Sequence, residues 1–144
     1  MTNSNALLLD NQLCFALYST SLAMTQQYKK LLSPLGMTYP QYLIMLLLWE
    51  RDAVTLKSIS ERLGIKSGAL TPVIKRMEAE GWVQRLRGVE NDRTLSIELT
   101  PQGRKLKEDA KNVNQCIAAS CDLENNEMQS LIEQLSTLKK NLSK

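Results

Sequence analysis

The chain reads as a mostly helical α+β protein with one small hairpin. Three observations predict this. Apolar residues recur at helical spacing through most of the 144 residues. Clear alternation of apolar and polar residues is confined to one stretch, around Leu95, Ile97 and Leu99. Thr or Ser at the front and Gly behind punctuate the helical segments. At 43% hydrophobic residues the composition supports one core, and residues 1–144 are expected to form one domain.

Each element follows from its own signals. Asp10 or Asn11 is the expected cap of a first helix carrying Leu13, Leu17, Met24, Tyr28 and Leu31 at helical spacing. It should stop near Ser33-Pro34-Leu35-Gly36. Thr38-Tyr39-Pro40-Gln41 is a capping box: the Thr38 hydroxyl accepts from the Gln41 amide, and the Gln41 side chain reaches back. Pro40 in the first turn gives up only an unpaired N–H. The following run to Glu50 is apolar almost all round, the mark of a buried central helix.

Thr55 opens a short helix with Leu56, Ile59 and Leu63 inward, closed by Gly64. Ser67 is the expected cap of the next helix. There Leu70, Val73, Ile74 and Met77 form an i, i+3, i+4, i+7 stripe that ends at Gly81. Strands are expected over 82–87 and 94–99, with 88–92 as the tip. Thr100-Pro101 starts a further helix with Leu106, Ala110, Val113 and Ile117 on one face. A last helix from about Leu123 carries Met128, Leu131, Leu135, Leu138 and Leu142 on a seam that needs a partner. Two short helices, a tight turn and a hairpin make a winged helix-turn-helix over about 55–100. The helices over about 10–33 and 101–143 are the expected dimerisation module.

Composition excludes several functions. There is no histidine, which removes the commonest general base and metal ligand. The three cysteines are too scattered for a CxxC zinc site, so no metal or cofactor is expected. No run of about 18 apolar residues exists, and the start of the chain lacks signal-peptide features. A cytoplasmic protein with no membrane partner is expected, and any disulfide would then be transient.

Net charge is only +3, so distribution must carry the case for nucleic acid. Between residues 62 and 87 stand Arg62, Lys66, Lys75, Arg76, Arg85 and Arg87, against Glu78 and Glu80. With the apolar stripe inward, Ser67, Gly68, Thr71, Pro72 and Lys75 turn outward on the second helix, suited to a major groove. Arg93 at the hairpin base suits a narrow minor groove.

These residues resemble the MarR winged-helix regulators along nearly the whole chain. The resemblance is carried by Ser67-Gly68-Ala69-Leu70-Thr71-Pro72, by Lys75-Arg76-Met77-Glu78 with Gly81, and by Asp92-Arg93 leading to Leu99-Thr100-Pro101-Gln102-Gly103. More narrowly, residues 10–18 and 37–42 are similar to the OhrR group of organic-hydroperoxide repressors. Relatives often carry Asp-x-Arg in the wing, whereas Asn91-Asp92-Arg93 moves the acid by one position.

The resemblance implies a homodimer on a pseudo-palindromic DNA operator, with an organic hydroperoxide as inducer. It implies that Cys14 is the peroxide-reactive thiol and that Tyr28 and Tyr39 hydrogen-bond to it. It implies DNA contacts from Ser67, Gly68, Thr71, Pro72, Lys75, Arg76, Arg85, Arg87, Asp92 and Arg93. On spacing alone a small buried cysteine is the better reading of Cys14, and the resemblance reverses it. Helix N-termini favour negative charge, and thiolate is the reactive form of cysteine.

Tyr28 lies fourteen positions after Cys14, roughly 20 Å along one helix, so their contact would need the other subunit. Cys116, Cys121 or a small external thiol would resolve the oxidised sulfur. A regulator controlled by a small aromatic or lipid effector is the alternative. A thiol peroxidase is disfavoured, because no histidine and no nearby cation activates Cys14.

Overall fold

The computed structural model describes residues 3–87 and 95–144 of the chain. Asp92, Arg93 and the rest of the expected wing tip lie outside the described residues, as does the side chain of Arg87. Two compact units divide the protein, 1–113 and 114–144. In order come α1 (Asn3–Ala6), α2 (Leu13–Leu32), α3 (Tyr39–Glu50), β1 (Val54–Thr55), α4 (Leu56–Leu63) and α5 (Ser67–Ala79). They are followed by β2 (Val83–Arg87), β3 (Leu95–Leu99), α6 (Pro101–Cys121) and α7 (Asn125–Leu142). The mostly helical α+β class is as expected. No single helix among the described residues is long and apolar enough to cross a membrane.

The first helix starts later than its sequence suggested. Leu9–Asn11 form a 3-10 turn, and Gln12, not Asp10 or Asn11, is the N-cap of α2. The Asn11 amide is turned back to donate to the Asn5 carbonyl at 2.8 Å, so it is not available to cap. The Gln12 side chain likewise donates to the carbonyls of Ala6 and Leu8. Gly36, in the left-handed region at φ 68°, ends the Ser33–Leu35 turn that follows α2.

α3 is the central helix. Its capping box forms as expected, with Thr38 N–H donating to Gln41 Oε1 at 2.9 Å and Gln41 N–H to Thr38 Oγ1 at 3.4 Å. Tyr42, Ile44, Met45, Leu47 and Leu48 are buried along it. Burying such side chains contributes about 1.5–3 kcal/mol each relative to exposure.

Thr55 caps α4 through the Ser58 amide at 3.0 Å, and Gly64 closes it in the left-handed region. Ser67 is not the cap of α5. Lys66 takes that place, and its carbonyl accepts from the Ala69 and Leu70 amides. Ser67 is therefore already helical. Leu70, Ile74 and Met77 are buried as expected, while Val73 is only half-buried.

The sheet has three antiparallel strands in the order β1-β3-β2. Val83 faces Leu99, Arg87 faces Leu95, and Val54 faces Ile97. The expected alternation holds: Ile97 and Leu99 are buried and Leu95 half-buried. β1 has only two residues, too short to leave a periodic signal.

Below the sheet, Thr100 joins β3 to α6. Its hydroxyl donates to the Gly81 carbonyl at 2.6 Å and accepts from the Gly103 amide at 3.0 Å. The Trp49 indole N–H donates to the Gly103 carbonyl at 3.0 Å, tying α3 to the start of α6. Asp52 fastens the same region. Its Oδ1 accepts from the amides of Ala53 and Leu99, and its Oδ2 pairs with Arg104 at 3.4 Å. Ala53 pays for this turn with a left-handed φ of 59°.

In the second unit, Glu124 is the N-cap of α7 through a reciprocal capping box with Glu127. Asp122 occupies the left-handed region at φ 49° in the connection between α6 and α7. α7 accordingly begins at Asn125 and not at Leu123.

Candidate nucleic-acid interface and thiol site

α5 presents a polar face opposite its buried stripe. Ser67, Gly68, Pro72, Lys75 and Arg76 are exposed and Thr71 is half-buried. The Thr71 hydroxyl donates to the Ser67 carbonyl at 3.0 Å, which leaves its oxygen free only to accept. Lys66, Lys75 and Arg76 form no ion pair with another described residue, so their charge is open to an anionic partner.

Arg85 is placed differently. Its guanidinium pairs with Glu78 at 3.1 Å, and its backbone N–H donates to Glu78 Oε2 at 3.0 Å. Glu78 therefore clamps β2 to the end of α5. Sequence reasoning counted Glu78 only as an opposing charge and missed this bracing role. The seven-residue separation crosses a turn, so no periodicity reveals it.

The Arg85 backbone hydrogen bond, together with the guanidinium, holds the Glu78 carboxyl below its ordinary value of 4.5. An acid whose folded value is depressed adds stability above its unfolded value. That stability is lost as pH falls through the folded value. We expect Glu78→Gln to be less stable than wild type at pH 7. The gap should narrow as pH drops below about 4.5. Urea midpoints at several pH values measure it, and a constant gap would contradict the clamp. The pair is about a third exposed, so the effect is small.

The thiol region has two separated parts. Cys14 is the second residue of α2 and is exposed. Tyr28, in the last third of α2, packs against Tyr39 with ring centroids 4.9 Å apart. It also packs against Tyr42 at 5.3 Å. Tyr28, Tyr39 and Tyr42 thus form one cluster, and Tyr42 joins it unforeseen. Tyr39 and Tyr42 are three positions apart on one helix, the spacing that could have revealed it. Burial raises both phenols above 10.0, with Tyr39 adding to the shift at Tyr42. Both therefore remain O–H donors at neutral pH.

The structure does not place this chain's own Cys14 with those tyrosines. Fourteen residues of continuous helix separate Cys14 from Tyr28, about 21 Å of rise. Along the intervening surface, Leu13, Leu17, Tyr18, Leu22 and Met24 are exposed, as are Leu7, Leu8 and Leu9 before them. In the other unit Cys116 is exposed and Cys121, the last residue of α6, is half-buried.

A helix-turn-helix with an antiparallel strand pair behind it defines a winged-helix regulator. The sequence profile of the family described as "Transcriptional regulator SarA/Rot" matches residues 26–110. The chain is 51% identical over 105 residues to the organic hydroperoxide resistance transcriptional regulator of Bacillus subtilis (strain 168), covering 73% of this chain and 71% of that one.

Among solved structures it is similar to reduced AbfR bound to DNA, with TM-score 0.81 and 38% identity, covering 99% of this chain and 100% of that one. Disulfide-formed AbfR superposes less closely, with TM-score 0.67, 41% identity and coverage of 94% and 93%. AbfR is a protein of Staphylococcus epidermidis. The chain belongs to the SarA/Rot family of transcriptional regulators, winged helices of the MarR type.

Proposed function

We propose that the protein is a dimeric DNA-binding repressor that organic hydroperoxides inactivate through Cys14. The observation that carries this is the separation within α2. An exposed sulfur in the first turn and a cluster of neutral phenols about 21 Å away meet only if a second copy of α2 lies antiparallel. The apolar surface between them is what such a copy would cover. The relatives support the reading: one is named for organic hydroperoxide resistance, and AbfR is known reduced on DNA and disulfide-formed.

The chemistry is a two-electron oxidation. The Cys14 thiolate attacks the terminal oxygen of the hydroperoxide, and the O–O bond breaks. The alkoxide leaves and takes a proton to become the alcohol, and Cys14 becomes a sulfenic acid. The tyrosine O–H groups of the partner then lose the thiolate they donate to. A second thiolate, from Cys116 or Cys121 of the partner or from a small thiol, attacks the sulfenic sulfur. A disulfide forms, and the departing hydroxide takes a proton to become water. Ser67, Gly68, Thr71, Pro72, Lys75 and Arg76 are the proposed groove contacts, with Arg85, Arg87, Asp92 and Arg93 contributing from the hairpin. Two such helices must stand one DNA turn apart, about 34 Å, so a modest rotation of the dimer releases the operator.

Titrating cumene hydroperoxide into the reduced protein on a specific duplex tests this. Release should be complete near one equivalent per subunit. On a non-reducing gel, the covalent dimer should vanish in whichever of Cys116→Ser and Cys121→Ser removes the resolving thiol. A complex that survives many equivalents rejects the proposal.

A further inference from the structure

Two residues of α5 (Ser67–Ala79) are not explained by folding. Gly68 lies in ordinary helical backbone, and a Cβ built on it would meet nothing within 4 Å. Neither conformation nor packing calls for glycine there, and alanine would make the better helix. Pro72, four positions on, sits inside the helix and is exposed. Lacking an N–H, it offers nothing to the Gly68 carbonyl, which an ordinary residue at 72 would bond. In a helix a proline ring also crowds the carbonyl four residues before it. The neighbouring hydroxyl of Thr71 is committed to Ser67. Gly68, Pro72 and Lys75 share one helix face.

We propose that the main-chain carbonyl of Gly68 reads a base, accepting a hydrogen bond from an exocyclic amino group in the major groove. The inference rests on the DNA-binding reading above and names one specificity contact within it. Chemistry selects the base over the backbone. A carbonyl oxygen is repelled by phosphate oxygens, and the deoxyribose within a duplex has no hydroxyl to donate. The major-groove donors are cytosine N4 and adenine N6. The missing side chain at 68 lets the main chain approach to hydrogen-bond distance, about 2.9 Å. The missing amide at 72 leaves the acceptor without an internal rival. Two departures from good helix chemistry thus serve one contact.

The probe is a duplex enriched from a random-sequence pool by the reduced wild-type protein, with an unrelated duplex of equal length as the non-specific reference. Gly68→Ala and Pro72→Ala should both melt no lower than wild type. Each should lose about tenfold in affinity for the enriched duplex. A scan replacing single cytosines by 2-pyrimidinone, or adenines by purine, deletes one amino group at a time. One position should cost wild type the same tenfold and cost Pro72→Ala nothing further.

Unchanged affinity in both variants overturns the inference and leaves the DNA-binding reading standing, since wild type still selects its duplex. Loss in Gly68→Ala alone also overturns it, because close approach then suffices without the carbonyl. If wild type enriches no duplex, the DNA-binding reading fails and the inference with it.

Discussion

Cys14→Ser protein should stay on its DNA through a hydroperoxide titration that strips the wild type completely. Serine keeps the size and a hydroxyl donor but has no sulfur to oxidise, so the sulfenic acid cannot form. Cys14 is exposed and makes no disulfide, so the exchange should leave stability within about 0.5 kcal/mol. Reduced affinity should therefore match wild type. Fluorescence anisotropy with increasing cumene hydroperoxide separates the outcomes. Peroxide-driven release that persists in Cys14→Ser would place the sensing chemistry elsewhere in the protein.

Gly103→Ala should be among the most damaging single-methyl additions to the first unit. A Cβ at 103 would sit 2.1 Å from the Trp82 carbonyl oxygen and 3.3 Å from Leu99 Cδ2. The obstacle is backbone, so no side-chain rotation relieves it. Moving α6 away would break what converges there: the Trp49 indole on the Gly103 carbonyl and the Gly103 amide on Thr100. We expect a loss of about 3 kcal/mol, at the upper end of the cost of overpacking. Gly64→Ala is the control. Its φ is +70° but a Cβ there meets nothing within 4 Å, so about 1 kcal/mol is expected. Denaturant midpoints rank the two, and equal losses would mean that close approach is not what fixes glycine at 103.

The helix-turn-helix and most helix ends were legible in the sequence because their causes are local. The Thr38–Gln41 box, the Thr55 cap, Gly64 and the Thr100-Pro101 start each depend on residues within four positions of one another. The first helix shows the limit. Asp10 and Asn11 are good caps in isolation, yet Asn11 is drawn back to Asn5, and Gln12 takes the position. Of the candidate site, the face of α5 and the distance along α2 from Cys14 to Tyr28 could be read in advance. Tyr42, the Glu78 clamp on Arg85 and the Asp52 bracket could not.

Sequence alone determined which segments coil, which stripe of α5 and of α6 turns inward and which small polar residues α5 exposes. Periodicity and capping are properties of neighbours along the chain. Only the tertiary structure decided that Asp52 would hold Leu99, 47 residues away, and that Trp49 would hold Gly103, 54 residues away. It also decided that Tyr39 and Tyr42 of α3 would pack on Tyr28 near the far end of α2. A hydrogen bond across such distances leaves no spacing to read, because the intervening fold, not the chain, brings its two ends together.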